Sequence, residues 1–97
     1  VRKKIGFDLT AIDTQGLRNG EVSMDYEFCI PADEMALKKV QDIDAKVRLM
    51  KTSKGRIGCT KDQWLCISNT HDPAWKEKLM AIASLEFVER IEETVWE

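Results

Sequence analysis

Cys59, Cys66 and His71 fall within one short stretch of the chain, and Asp72 follows at once. Soft donors this close could hold zinc or iron, and a thiol beside an imidazole could serve as an activated nucleophile. Residues 56–72, R-I-G-C-T-K-D-Q-W-L-C-I-S-N-T-H-D, contain two of the three cysteines and the single histidine. The metal reading is weak because C-x6-C-x4-H matches no standard zinc signature. The catalytic reading centres on Cys66 and His71, with Asp72 to orient the ring. However, Asp72-Pro73 is also a helix-start signal, which gives Asp72 a sufficient structural role. No C-x-x-C pair supports redox chemistry, and no G-x-x-x-x-G-K-[ST] loop supports nucleotide binding. Asp8, Asp25 and Glu27 share one strand parity and could act as paired carboxylates, but nothing fixes their separation. No cofactor or metal is expected.

A second constellation is basic. Positions 38–61 hold eight Lys or Arg against two Asp, whereas positions 86–97 hold five Glu against one Arg. Lys51, Lys54, Arg56 and Lys61 lead up to Trp64. Cations beside an aromatic platform can hold single-stranded nucleic acid, phosphates by charge and bases by stacking. The same surface can meet an acidic protein, including the acidic end of a second copy. These five residues are the candidate binding site.

The elements that position them follow from periodicity. Residues 4–13 alternate Ile5, Phe7, Leu9 and Ala11 with polar positions, and residues 21–30 do the same through Val22, Met24, Tyr26, Phe28 and Ile30. That predicts two half-buried strands joined by an Asn19-Gly20 turn, with Cys29 on the polar parity. Pro31 ends the second strand. Asp33 is the expected N-cap of a helix whose stripe runs Met35, Ala36, Val40, Ile43, Val47, Met50, closing at Gly55. Residues 56–69 then read as a hairpin turning near Lys61-Asp62-Gln63. Pairing Cys59 with Leu65 gathers Ile57, Cys59, Leu65 and Ile67 on one apolar face and leaves Trp64 and Cys66 on the other. That register separates Cys59 from Cys66. A helix over 73–84 buries Trp75, Leu79, Ile82 and Ala83. Residues 85–96 fit either continued helix or strand, and a strand over 87–95 best completes the architecture.

The expected fold is a single α+β domain over 1–97, a two-layer sandwich. Its antiparallel sheet has about five strands and carries two helices on one face, a ferredoxin-like arrangement with an added N-terminal hairpin. With 43% apolar and 33% charged residues the composition is ordinary for a globular chain. No apolar run approaches the ~18 residues of a membrane span. Three cysteines at irregular spacing fit a reducing compartment, so cytoplasmic residence is the expectation. The functional expectation is a non-catalytic binding or regulatory module acting by protein association, self-association included. Single-stranded nucleic-acid binding stands second and a cysteine-dependent enzyme third.

Overall fold

Tyr26, Phe28 and Ile30 alternate with Glu27 and Cys29, and this alternation forms β1 (Asp25–Pro31), the strand on which the sheet is built. The computed structural model describes residues 4–7, 9–13, 15–17, 20 and 23–94. Asp8, Asn19 and Val22, and the end of the strand expected over 87–95, lie outside the described residues. After β1 come α1 (Glu34–Ile43), β2 (Arg48–Met50), β3 (Gln63–Asn69), α2 (Trp75–Ala83) and β4 (Ile91–Glu93). The sheet has four antiparallel strands in the order β2-β3-β1-β4.

Directly paired residues share a face, so the register of β1 on β3 sets both sides of the sheet. Tyr26, Phe28 and Ile30 lie opposite Ser68, Cys66 and Trp64. This is the helix-covered face. Phe28, Ile30 and Cys66 are wholly buried there with Val40, Leu79 and Ile82. Asp33 caps α1 as expected, its carboxylate accepting from the Ala36 N–H at 2.7 Å. Asp72 lies two residues further from α2 than expected: Ala74, not Asp72, is the N-cap, and Pro73 precedes the helix rather than opening it. The Asp72 carboxylate accepts from Ala74 N–H at 2.7 Å and from the Lys78 ammonium at 2.6 Å, while the helix itself begins at Trp75.

Three sequence expectations are corrected. The predicted N-terminal hairpin is absent among the described residues. β3 takes one edge of β1 and β4 takes the other over Tyr26–Phe28, so that stretch of β1 is closed to residues 4–13. They meet β4 through a parallel bridge, Ile5 to Ile91, and a short 3-10 turn follows at Leu9–Ala11. The alternating Ile5, Phe7 and Leu9 still pack against the helix-side core. Thr70 anchors the chain beyond this segment: its hydroxyl donates to Gly16 C=O at 2.7 Å and accepts from Met24 N–H at 2.9 Å. The described sheet therefore has four strands, not five.

Second, α1 stops at Ile43 rather than running to Met50. Asp44 takes an extended conformation, and its buried carboxylate accepts from Ser68 Oγ and from Lys46 N–H at 3.0 Å. The bond to Ser68 is a tertiary contact that outweighs the continuing apolar period. Met35, counted in the buried stripe, is 77% exposed.

Third, residues 56–69 form no hairpin. β3 pairs with β2 and β1, and residues 54–62 form a strap folded across the sheet face opposite the helices. Gly55 permits this close approach. It has φ of +63°, and an added Cβ would lie 2.6 Å from the Glu27 carboxylate and 2.9 Å from Leu65. Ile57, Cys59, Leu65 and Ile67 do cluster as their pattern suggested, and Cys59 is separated from Cys66. But this cluster sits under the strap, and it is Trp64 and Cys66 that face the helices. The cysteine reading changes with it. Cys29, on the outer parity of β1, is disulfide-bonded to Cys59, with Cα atoms 5.5 Å apart. Among the described residues Cys66 is then the free cysteine, and it is buried. Glu27 adds a second tie. It is 2% exposed, and its carboxylate accepts from Ile57 N–H at 2.8 Å and Thr94 Oγ1 at 2.9 Å. It is therefore not the exposed strand carboxylate the sequence suggested. Among the described residues no helix is long and apolar enough to cross a membrane.

Candidate functional site

The five candidate binding residues fall into two groups. Trp64 is directly opposite Ile30, half-buried on the helix side, and the Lys51 ammonium sits 4.5 Å from the centre of its ring. Lys51 also lies 4.0 Å from the Glu34 carboxylate at the start of α1. Lys54 and Arg56 are exposed on the strap across the opposite face, and Lys61 is exposed at the turn into β3. The aromatic platform and the strap cations therefore do not share one surface. A base stacking on Trp64 would have to displace Lys51, whose cation–π contact is worth about 0.5–1 kcal/mol at an exposed site. The sheet face on which a single strand would lie is occupied by the strap.

The cationic character of the surface is nonetheless directional. β2 and β4 are the two outer strands of the sheet. Lys46, Arg48 and Lys51 lie in or beside β2, and the strap that follows carries Lys54 and Arg56. Glu89, Glu92 and Glu93 lie in or beside β4. The charge asymmetry of the sequence becomes a basic edge and an acidic edge on one sheet. Several charges are paired locally: Arg48 with Asp25 at 3.6 Å, Lys38 with Asp42 at 3.9 Å, and Arg90 with Glu92 at 3.6 Å.

Cys66 and His71 are not arranged as a nucleophile and its base. Cys66 faces the core with no exposed surface, and burial pushes its thiol up from 9.0 to about 12. Activation would need the opposite shift. His71 is exposed beyond the end of β3. It lines a cleft of about 350 Å³ with Ser68, Asp44, Asp72, Lys46 and Lys78. These residues were not singled out together by sequence, since only the β1–β3 register and the turn after α1 bring them to one end of the sheet. Within the cleft Ser68 is committed to the Asp44 carboxylate and also hydrogen-bonds the buried Tyr26 hydroxyl, whose phenol burial raises to about 12. The hydrogen bond from Lys78 holds Asp72 below the usual carboxylate range. Ser68 with Asp44 and Tyr26, and Asp72 with Lys78, are thus engaged with one another, as in a structural network. Among the described residues no three His, Cys, Asp or Glu side chains come together for a metal ion.

The buried thiol and phenol set an alkaline limit to stability. Cys66 has its pKa raised from 9.0 and Tyr26 from 10.0, both to about 12. Below the lower of these ordinary values both groups are neutral in either state, and their contribution to stability is complete. As pH rises toward about 12 the unfolded chain ionises first, so stability is progressively lost. Urea unfolding through the alkaline range is expected to show this fall. Cys66→Ala should remove the part that begins near 9.0 and leave the part that begins near 10.0. A native Cys66 that alkylates at neutral pH would contradict the burial on which this rests.

Comparison with protein-family models, with curated proteins and with solved structures finds no match to this chain.

Proposed function

We propose that the chain is a small, non-catalytic binding module that works by protein association, using the basic β2 edge and strap to meet an acidic protein surface. The β-α-β-β-α-β order, with β2 and β4 outermost, supports reading the arrangement as ferredoxin-like. The observation that carries the functional reading is the separation of charge between the two outer strands. It supplies complementary patches for a second copy, Lys46, Lys51, Lys54 and Arg56 against Glu89, Glu92 and Glu93. Because the patches lie at opposite edges, such a contact is heterologous, head to tail. Ile91 already exchanges backbone hydrogen bonds with residues 4–6, donating to Lys4 C=O and accepting from Gly6 N–H, each at 2.8 Å. Contact at that edge is then through side-chain charge rather than an added strand. Exposed ion pairs contribute about 0–1 kcal/mol each, so the association is weak and strongly salt-dependent.

Nucleic-acid binding ranks second because Trp64 lies under Lys51 on the helix side and is separated from the strap cations. One experiment compares the two. Sedimentation over a concentration series at low ionic strength, with and without a polyglutamate peptide or an oligothymidine strand, should show self-association or polyglutamate binding. Raising the salt, or substituting Lys51→Glu, Lys54→Glu and Arg56→Glu together, should abolish it. Preferential capture of the oligothymidine strand would favour the second reading, and no binding of any kind at low salt would refute both.

A further inference from the structure

We propose that the Cys29–Cys59 bridge is a thiol–disulfide exchange site, at which a dithiol reductant attacks Cys29 and releases the strap while the helix-side core stays folded. A cleft of about 330 Å³ opens beside β1 and is lined by Cys29, Ile57, Thr60, Gln63, Glu89 and Arg90, among others. Cys29 is half-buried and lines this cleft, whereas Cys59 is 2% exposed and does not. An incoming thiolate therefore meets Cys29 Sγ first, with Cys59 as the leaving group. A bond forms between the reductant sulfur and Cys29 Sγ as the Cys29–Cys59 bond breaks, and Cys59 departs as a thiolate that takes a proton from water. The second thiol of the reductant, as its thiolate, then attacks the mixed disulfide and frees Cys29. The dithiol is oxidised by two electrons and the protein disulfide is reduced by two.

Cys66 cannot take part. It lies on the other side of the sheet, fully buried among the helices, so no internal reshuffling competes with the external thiol. Release is local because the strap and the core occupy opposite faces. The strap closes on itself through Gly58 N–H and Cys59 N–H to Lys54 C=O, at 3.1 and 2.8 Å. Once the disulfide is cut, its anchors to the body include Ile57 N–H to Glu27 and the Arg90 guanidinium to Ile57 C=O at 2.7 Å. Opening uncovers Leu65 and Ile67, which are 1% and 3% exposed beneath it.

The test uses the full chain at neutral pH without denaturant, equilibrated with graded ratios of reduced and oxidised dithiothreitol. Alkylation and mass measurement should label Cys29 and Cys59 together and leave Cys66 unlabelled. Amide exchange at Ile57 and Cys59 should quicken about tenfold or more on reduction, while Phe28 and Ile30 keep their protection. Glu89→Lys, which replaces an anion lining the cleft, should speed reduction by the anionic thiolate of dithiothreitol roughly two- to threefold at low salt and lose that gain at high salt. Reduction that requires denaturant, or that labels all three cysteines at once, would show the bridge to be closed to exchange in the folded chain. Equal loosening of the Phe28 amide, or a rate indifferent to Glu89→Lys, would likewise overturn the proposal.

Discussion

Phe28→Ala is expected to destabilise the chain by about 3–5 kcal/mol, the range for truncating a buried aromatic in a packed core. Phe28 has no exposed surface and sits at the middle of the central strand, opposite Cys66 on β3 and Ile91 on β4. Its ring lies 6.3 Å from that of Tyr26 along the same face. Truncation removes the side chain that joins three strands, and the rigid sheet around it cannot collapse to fill the gap. A domain of this size commands only about 5–15 kcal/mol in total, so the variant is left near the threshold of folding. In urea the midpoint should fall while the slope stays the same, because the surface exposed on unfolding hardly changes. Met35→Ala is the matched control. Apolar periodicity counts Met35 as core, but it is 77% exposed, and its truncation should have almost no effect. Equal losses for both variants would mean that the helix-side core is wrongly placed.

The contrast between Phe28 and Met35 marks where the sequence is readable. The alternation over Met24–Ile30 reports a strand and which of its sides meets the main core, because a two-residue period fixes the facing residues, but not that the strap buries Glu27 on the other side. Asp33 is readable because a cap is local chemistry, whereas Asp72-Pro73 announces a helix without fixing its start, which falls at Trp75 with Ala74 as N-cap. What fails is information carried by partners far along the chain. Residues 4–13 have the period of a strand, but both edges of β1 are already filled over Tyr26–Phe28. Val47 and Met50 continue a helical stripe, but the bond between Asp44 and Ser68 diverts the chain. The grouping of Ile57 and Cys59 with Leu65 and Ile67 was legible as an apolar set. A hairpin and a folded-over strap satisfy that set equally well, and partners far along the chain decide between them: β3 is paired on both sides, and Cys29 and Glu27 hold the strap. Of the candidate site, the cations and their sequence clustering were visible. Their division between the two faces follows from the side of the sheet on which Trp64 lies, which no local pattern reports.

Removing the bridge, with Cys29→Ala and Cys59→Ala together, is expected to cost about 3–4 kcal/mol, by a route different from that of Phe28→Ala. The cross-link closes a loop with a sequence separation of 30, and in the chain-entropy account a closure of that length is worth about 3.6 kcal/mol through the unfolded state. Little of the cost is helix-side packing, since both cysteines lie on the opposite face. The unfolding curve should therefore differ in kind. The midpoint falls, as for Phe28→Ala, but the slope rises, because an unfolded chain without the cross-link is more expanded and exposes more surface. Urea unfolding of the oxidised chain, the reduced chain and the double variant separates these effects. The reduced chain and the double variant should agree in slope, and both should exceed the oxidised chain. A double variant with an unchanged slope would mean that the bridge stabilises mainly through strap packing in the folded state. In that case cutting it would disturb Leu65 and Ile67 directly, and the strap could not be released without cost to the sheet beneath.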